Sequence, residues 1–426
     1  MRILILGSGG REHALAWKLS QSPLCESLFI APGNAGTAQC GTNLDFGVID
    51  FEAIKNACIE HKIDLVLVGP EEPLVKGVTD FLISSPALKN IDVIGPGKNG
   101  AQLEGSKAFA KAFMLRHKIP TAAYKDFTVD NYKEGVDYIL QHELPIVMKA
   151  DGLAAGKGVV ICTSHIEAIA EFELMLHRAK FGEAGKKVVV EQFMEGKEIS
   201  VFVLMDGKNY VLFPEAKDYK RIGEKDTGPN TGGMGAISPV PFANPALMKK
   251  IEDKVIKPTV SGLLKEGLEY RGFIFFGLMI MHDEPYMIEY NCRMGDPETE
   301  VIMPRLKNDM VELLTVATKQ NLDKLKIETD PRTVATIVAV SGGYPNEYKK
   351  GYEIKGLNDI NPEDSILYHM GTTIENGKVI TSGGRVFCIT SYGRSVFDAT
   401  EISKDEMQKI SFTGMGYRND IGYEFM

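Results

Sequence analysis

The chain is poor in cysteine and histidine, has a single tryptophan, carries no excess of basic charge and contains no long hydrophobic run. The six cysteines (Cys25, Cys40, Cys58, Cys162, Cys292 and Cys388) form no CxxC pair. That argues against a zinc ribbon or a disulfide framework and predicts reduced thiols. The eight histidines include no HExxH, so the helical zinc-hydrolase signature is missing. A net charge of −9 lacks the basic footprint of a general nucleic-acid binder, although local pockets can still hold small anions. The longest apolar run, Phe273 to Met281, falls far short of a membrane span. The N-terminal run Ile3–Leu6 stops at a glycine turn, too early for a signal peptide. The expectation is a cytoplasmic protein with neither nucleic acid nor membrane as partner. No Ser–His or Cys–His pair is apparent, so covalent catalysis has no obvious carrier.

What the chain does have is length, glycine turns and carboxylates in pattern. With 426 residues, 44% of them hydrophobic, it exceeds what one core holds and predicts two to four units. The first hundred residues alternate β and α. Strands are predicted at Arg2–Leu6, Ser27–Ala31, Ile63–Val68 and Ile91–Ile94, with a helix over Arg11–Ser20. Short apolar strands separated by helices imply a parallel sheet. Its ligands belong beyond the carboxyl ends of the strands, where the glycine and proline turns lie. The helix after Gly105 stops at Ile119–Pro120. Asp323–Arg332 reads as a charged linker, followed by strands at Thr333–Val340 and Gly384–Thr390 and a helix near Val396–Ile410.

Five segments carry possible chemistry, and each has a plain structural alternative. Gly7-Ser8-Gly9-Gly10 is a strand-to-helix turn whose amides suit a phosphate. Glu12 replaces the third glycine of a dinucleotide fingerprint, and the second strand ends in Ala31-Pro32 without an acid, so NAD is disfavoured. A tight turn without a ligand is the alternative. Lys149 to Gly158 is a glycine loop between the strands Pro145–Met148 and Val159–Cys162. It is one residue short of a Walker loop and lacks its Ser/Thr, and it fits either a flap over nucleotide phosphates or a bare hairpin. Glu191–Met194 with Glu198 offers backbone groups for an adenine and a carboxylate for a ribose, or is simply a charged turn. Thr227 to Ala236 holds four glycines in ten residues, a density that lets backbone approach a ligand. In the strand ending Glu289-Tyr290-Asn291-Cys292-Arg293, residues two apart share a face. A carboxylate and an amide oxygen suit Mg²⁺, and the guanidinium beyond them suits a phosphate or carboxylate. A buried strand with polar edges remains the other reading.

Together these motifs resemble the phosphoribosylamine–glycine ligase (glycinamide ribonucleotide synthetase) family of the ATP-grasp superfamily. The resemblance runs the whole length, through Gly7–Leu15, Ala31–Thr37, Val68–Glu71, Leu103–Lys107, Lys149–Gly158, Asp226–Ala236, Asn291–Arg293, Gly295–Thr299, Ser341–Pro345 and Asp420–Gly422. Met294 stands where the family commonly has Phe, Glu300 where Gln is usual, and Tyr219 where His is frequent. The resemblance implies an α/β protein with an N-terminal parallel-sheet (pre-ATP-grasp) domain, a two-part ATP-grasp domain and a small strand-rich C-terminal domain. The expected bounds are 1–103, then 104–122 with 191–326, a lid at 123–190, and 327–426. It implies ATP-dependent ligation of glycine to 5-phosphoribosylamine in purine biosynthesis, with ATP and Mg²⁺ or Mn²⁺, acting as a monomer on small-molecule substrates. Carried onto this sequence, Glu289 and Asn291 would hold the metal. Arg293, Lys149 and Asp296 would serve the chemistry. Lys107, Lys149, Gly156, Lys157, Gly158, Glu191, Phe193, Met194 and Glu198 would hold the nucleotide. Gly9, Gly10, Arg11, Asn34, Gly36, Thr37, Pro70, Glu71, Asp218, Gly232 and Arg293 would hold the substrates. The competing readings are an ATP-grasp enzyme using another acid and a silent nucleotide sensor. A sensor would be expected to have lost Glu289, Asn291 or Arg293, and all three are present.

Overall fold

Aliphatic runs flanked by glycine and proline turns build the first unit. In the computed structural model, which describes residues 1–153, 158–178 and 186–426, the strands Arg2–Gly7, Ser27–Pro32, Leu65–Val68 and Asp92–Ile94 form a parallel sheet. A two-residue edge strand, Thr42–Asn43, extends it. Arg2–Gly7 lies at the centre of the order. Ile3 to Leu6 are wholly buried, as expected for a strand covered on both faces. The helix Gly10–Ser20 follows the first strand. At the carboxyl edge Gly95 N–H donates to the Arg271 carbonyl at 2.8 Å, joining this sheet to the next unit.

That unit is an antiparallel sheet of Tyr210–Leu212, Lys197–Asp206, Arg271–Met281 and Glu284–Asn291. Gly277 pairs with Glu289 and Leu278 with Met287, so Ile288 is an extra residue in a bulge. Bulges re-aim the side chains that follow them. Here the bulge sits one residue before Glu289.

The lid is a four-stranded antiparallel sheet of Tyr124–Thr128, Lys187–Gln192, Ile146–Ala150 and Val159–Cys162, with helices Tyr132–Gln141 and His165–Leu176. Its core, built on Phe127, Ile139, Ile146, Met148 and Phe172, is separate from the two larger cores. It therefore meets the rest of the molecule through its crossing strands and its loop.

The last sheet combines Thr333–Val340, Arg385–Gly393 and Ser365–His369 with Gly235–Ser238 and Lys217–Asp218. The latter two strands precede it by about a hundred residues of sequence, roughly the size of a small domain, and bring the glycine-rich segment with them. The helix Val396–Met407 covers this sheet. No helix among the described residues is long and apolar enough to cross a membrane.

Candidate active site

All of these units meet at one cleft of about 1110 Å³. Val147, Val159 and Ile161 of the lid line it together with Met279 and Ile288 of the main sheet, and with Gln192, Phe193 and Met194. This is an apolar slot ending in a charged chamber, the shape a nucleotide needs.

Lysines gather where the slot opens. Lys149, on a lid strand, lies 2.9 Å from Glu191 Oε2 and donates to the Ile288 carbonyl at 3.3 Å. Lys107 begins the helix Lys107–Arg116 and donates to the Gly152 carbonyl at 2.9 Å. The neighbouring Asp151 accepts from Ala108 N–H at 3.0 Å and from the Ser106 hydroxyl at 3.0 Å. A lid carboxylate thus caps the start of the helix that carries Lys107, where the helix dipole favours negative charge. Burial lowers the Lys107 ammonium, opposed mainly by Glu289. Gly158 lines the cleft, whereas Gly156 and Lys157 lie outside the described residues.

Glu289 and Asn291 both line the chamber, and Asn291 is nearly buried. No group of three or more His, Cys, Asp or Glu side chains able to hold a metal occurs among the described residues. Two oxygen ligands facing a chamber of lysines suit a hard cation that completes its shell with phosphate and water.

Arg293 is held more tightly than a free anion clamp would be. Its Nε donates to Glu71 Oε2 at 3.2 Å, its second terminal nitrogen lies 2.9 Å from Glu104 Oε1, and the first donates to the Met294 carbonyl at 3.3 Å. Burial pushes the Glu71 carboxyl up, but Arg293 and Arg11 outweigh it and hold it at about 2. Against its own burial, Arg293 is raised by Glu104 and Glu71. Of the five donors of a guanidinium, two N–H groups remain for a ligand. Pro70 sits just before the short helix that starts at Glu71, and of the two only Glu71 lines the cleft.

The turn Gly9–Arg11 differs from the simple phosphate cradle that its sequence suggested. Gly9 N–H donates to Glu12 Oε2 at 2.6 Å, and Arg11 N–H to Asp296 Oδ2 at 3.3 Å. Glu300 Oε1 packs against Gly10, where an added Cβ would have to displace it. Carboxylates already occupy the helix start, leaving little room for another anion. Arg11 itself is buried, pairs with Glu12 and lines the cleft. Asn34, Gly36 and Thr37 stand away from the cleft wall. The Asn34 side-chain oxygen accepts from Gly36 and Thr37 N–H, and its amide donates to the Ser8 and His369 carbonyls. Their polar groups are consumed in a buried turn.

On the far wall Asp218, Gly232, Glu198 and Asp296 do reach the cleft. Lys220 lies 2.6 Å from Glu198 and 3.9 Å from Asp218. Arg385 donates to the Gly232 carbonyl at 2.8 Å and lies 2.9 Å from Asp296 Oδ1. It also lines a side cavity of about 260 Å³ with Ser8, Gly9 and Tyr344. Burial lifts the Glu298 carboxyl to about 7, helped by Asp218. Lys111, Lys220, Arg385, Glu298 and the C-terminal residues Tyr423–Phe425 also line the two cavities. Sequence reasoning missed all of these as site residues. Only Lys111 had a local signal, four residues after Lys107 on one helix face.

Models of the phosphoribosylglycinamide synthetase N domain, ATP-grasp (A) domain and C domain match residues 1–104, 105–299 and 334–424. The chain is 47% identical over 426 residues to the phosphoribosylamine–glycine ligase of Vibrio parahaemolyticus, with 99% of this chain and 98% of the relative covered. The Haemophilus influenzae enzyme of the same name gives the same identity and coverage. A crystal structure of phosphoribosylamine–glycine ligase from Thermotoga maritima superposes with a TM-score of 0.83 at 34% identity, covering 99% of this chain and all of that one (100%). The biotin carboxylase domain of a Hydrogenobacter thermophilus 2-oxoglutarate carboxylase, solved with MgADP and bicarbonate, shares the fold alone, with a TM-score of 0.73 at 16% identity over 97% of this chain and 91% of that one.

Proposed function

This chain belongs to the phosphoribosylglycinamide synthetase family, and from that premise we propose how its cleft carries out ATP-dependent ligation of glycine in purine biosynthesis. The protein is an ATP-dependent ligase. Glycine and 5-phosphoribosylamine are joined as glycinamide ribonucleotide, and ATP becomes ADP and phosphate. A glycine carboxylate oxygen attacks the γ-phosphorus and the bond to ADP breaks, giving glycyl phosphate. The amine of phosphoribosylamine then attacks the acyl carbon, the amine loses a proton, and phosphate leaves.

Glu289 and Asn291 would hold Mg²⁺ or Mn²⁺, which would draw charge off the ATP phosphates. Lys149 and Lys107 neutralise the same phosphates, and the lid, with Gly158 beside the cleft, excludes water that would hydrolyse the acyl phosphate. The backbone of Glu191, with Phe193 and Met194, receives the adenine, and Glu198 the ribose. Arg293, preset by Glu71 and Glu104, turns its remaining donors to the glycine carboxylate and the transferring phosphoryl group. Asp296 orients the glycine ammonium. Gly9, Gly10, Arg11, Asp218 and Gly232 border the phosphoribosylamine. Because carboxylates occupy the start of the first helix, its 5-phosphate is better met by Arg385 in the side cavity.

The carrying observation is that Lys107, Lys149, Glu289, Asn291 and Arg293, drawn from three segments of the chain, line one cleft. The test is ADP release with glycine and freshly generated phosphoribosylamine. Omitting either substrate should abolish steady-state release. Full release with bicarbonate in place of glycine would instead support a carboxylase.

A further inference from the structure

Lys111 has no part in the scheme above, yet its side chain is only 2% exposed. Its ammonium lies 3.1 Å from Glu191 Oε2, the same oxygen that Lys149 approaches at 2.9 Å. It also donates to Thr121 Oγ1 at 2.7 Å and to the Ala122 carbonyl at 3.4 Å. The Thr121 hydroxyl passes the chain on to the Met287 carbonyl at 2.7 Å. Residues 119–123 and 191–192 are where the backbone crosses between lid and main lobe, so Lys111 sits inside the hinge. Glu191 Oε1 is buried and makes no hydrogen bond of its own.

The charge count gives this arrangement its meaning. A buried Lys149–Glu191 pair alone is neutral, and its lysine is largely spent on its own partner. A buried carboxylate needs a counter-charge, and Lys111 supplies a second one. With two ammoniums on one carboxylate the cluster carries a net charge of about +1 at pH 7. Burial pulls Lys111 down to about 8 in spite of Glu191, which leaves it mostly charged at neutrality.

Building on the nucleotide role of Lys149, we propose that Lys111 is a positioning residue for the ATP phosphates: it neutralises Glu191 from the hinge side, so that Lys149 faces the phosphates with an uncompensated charge. Lys111 does not touch the nucleotide. It acts through Glu191, and by its bonds to Thr121 and Ala122 it fixes where the lid strand Ile146–Ala150 stands against the main lobe.

The test is titration calorimetry of the full-length protein with ADP and with adenosine. In Lys111→Met, ADP affinity should fall roughly tenfold to a hundredfold, as for loss of one charge acting over a few ångströms at intermediate dielectric. Adenosine affinity should change less than about twofold, since no phosphate is present. The double variant Lys111→Met/Glu191→Gln removes both buried charges and should recover ADP affinity to within a few-fold of wild type. It also serves if the single variant fails to fold, because replacing both partners of a buried pair is far better tolerated than removing one. Unchanged ADP affinity in Lys111→Met overturns the proposal. So does equal weakening of ADP and adenosine, which marks a merely structural lysine, and so does a folded double variant that still binds ADP weakly. Lys149→Met is the reference. If it binds ADP like wild type, the nucleotide role of Lys149 has failed. If it loses ADP while Lys111→Met does not, only the Lys111 inference has failed.

Discussion

Arg293 shows how a residue type legible in the sequence acquires its meaning from partners that are not. The sequence offered a guanidinium two residues beyond a metal pair. The structure adds Glu71 and Glu104 on either side of it, from segments about two hundred residues upstream. Such a fork is rigid and preset for one task, which is the condition for transition-state stabilisation. Arg293→Ala should lower turnover by roughly a hundredfold or more while ADP still binds, measured by single-turnover phosphate release and by calorimetry. Near-normal turnover would remove Arg293 from the chemistry. Glu300 makes a second case. It is wholly buried, and neither carboxylate oxygen has a hydrogen-bond partner. Burial, with Asp296 adding to it, raises its carboxyl well above the usual range. An unfolded glutamate loses its proton near 4.5, whereas the folded one keeps it, so its contribution to stability is lost as pH rises above that value. Glu300→Gln carries no such proton. Its stability relative to wild type should grow steadily as pH rises from 5 to 7 in chemical unfolding. A pH-independent difference would show that Glu300 is ionised in the fold.

The strands and the first helix were legible in the sequence because period and punctuation agree. Arg2–Gly7, Ser27–Pro32, Thr333–Val340 and Val396–Met407 lie within a few residues of where apolar runs and turn residues predicted them. The pairing of Lys217–Asp218 and Gly235–Ser238 with the C-terminal sheet was not legible, since those strands are two to four residues long and their partners lie far along the chain. The segment between those two strands is held by a clasp of C-terminal residues. Arg418, 1% exposed, lies 2.8 Å from Asp226 and 2.8 Å from Asp420. Asp420 accepts from Lys225 N–H at 2.6 Å, and the Tyr423 hydroxyl donates to Asp226 at 3.2 Å. Lys225 and Asp226 both hold left-handed backbone, with φ of 51° and 55°, a conformation that costs energy without glycine and persists only when its surroundings enforce it. Arg418→Met removes the cation that both carboxylates share. It should cost roughly 1–3 kcal/mol of stability and speed amide hydrogen exchange over Arg221–Thr231 far more than over the lid. Unchanged exchange in that segment would mean the clasp holds nothing.

At the scale of the whole molecule, the first and last domains meet through a pair of histidines. His369 N–H donates to His13 Nδ1 at 2.7 Å, which requires that nitrogen to be unprotonated. Burial, then His369, pulls His13 down to about 3, and burial pulls His369 down to about 4. An unfolded histidine takes its proton near 6.5, so the contribution of His13 to stability is complete above that pH and is lost as pH falls below it. Glu298 and Glu300, both raised, act in the opposite sense over the same range, so the contribution must be read as a difference. His13→Gln keeps an acceptor and removes the titration. The stability advantage of wild type over it should shrink by about 2 kcal/mol between pH 7 and pH 5. A constant gap would place the proton elsewhere. None of this inter-domain contact could be read from either motif alone, because His13 and His369 are separated by nearly the full chain. The cleft is assembled in the same way, with its acid–amide pair and glycine loops announced locally and its closing cations supplied from a distance. The central claim is that this assembly activates the carboxylate of glycine by phosphorylation. Glycine labelled with ¹⁸O in its carboxylate should deliver one labelled oxygen to inorganic phosphate in each turnover with ATP and 5-phosphoribosylamine, read by mass spectrometry. Phosphate formed without label while glycinamide ribonucleotide accumulates would contradict it.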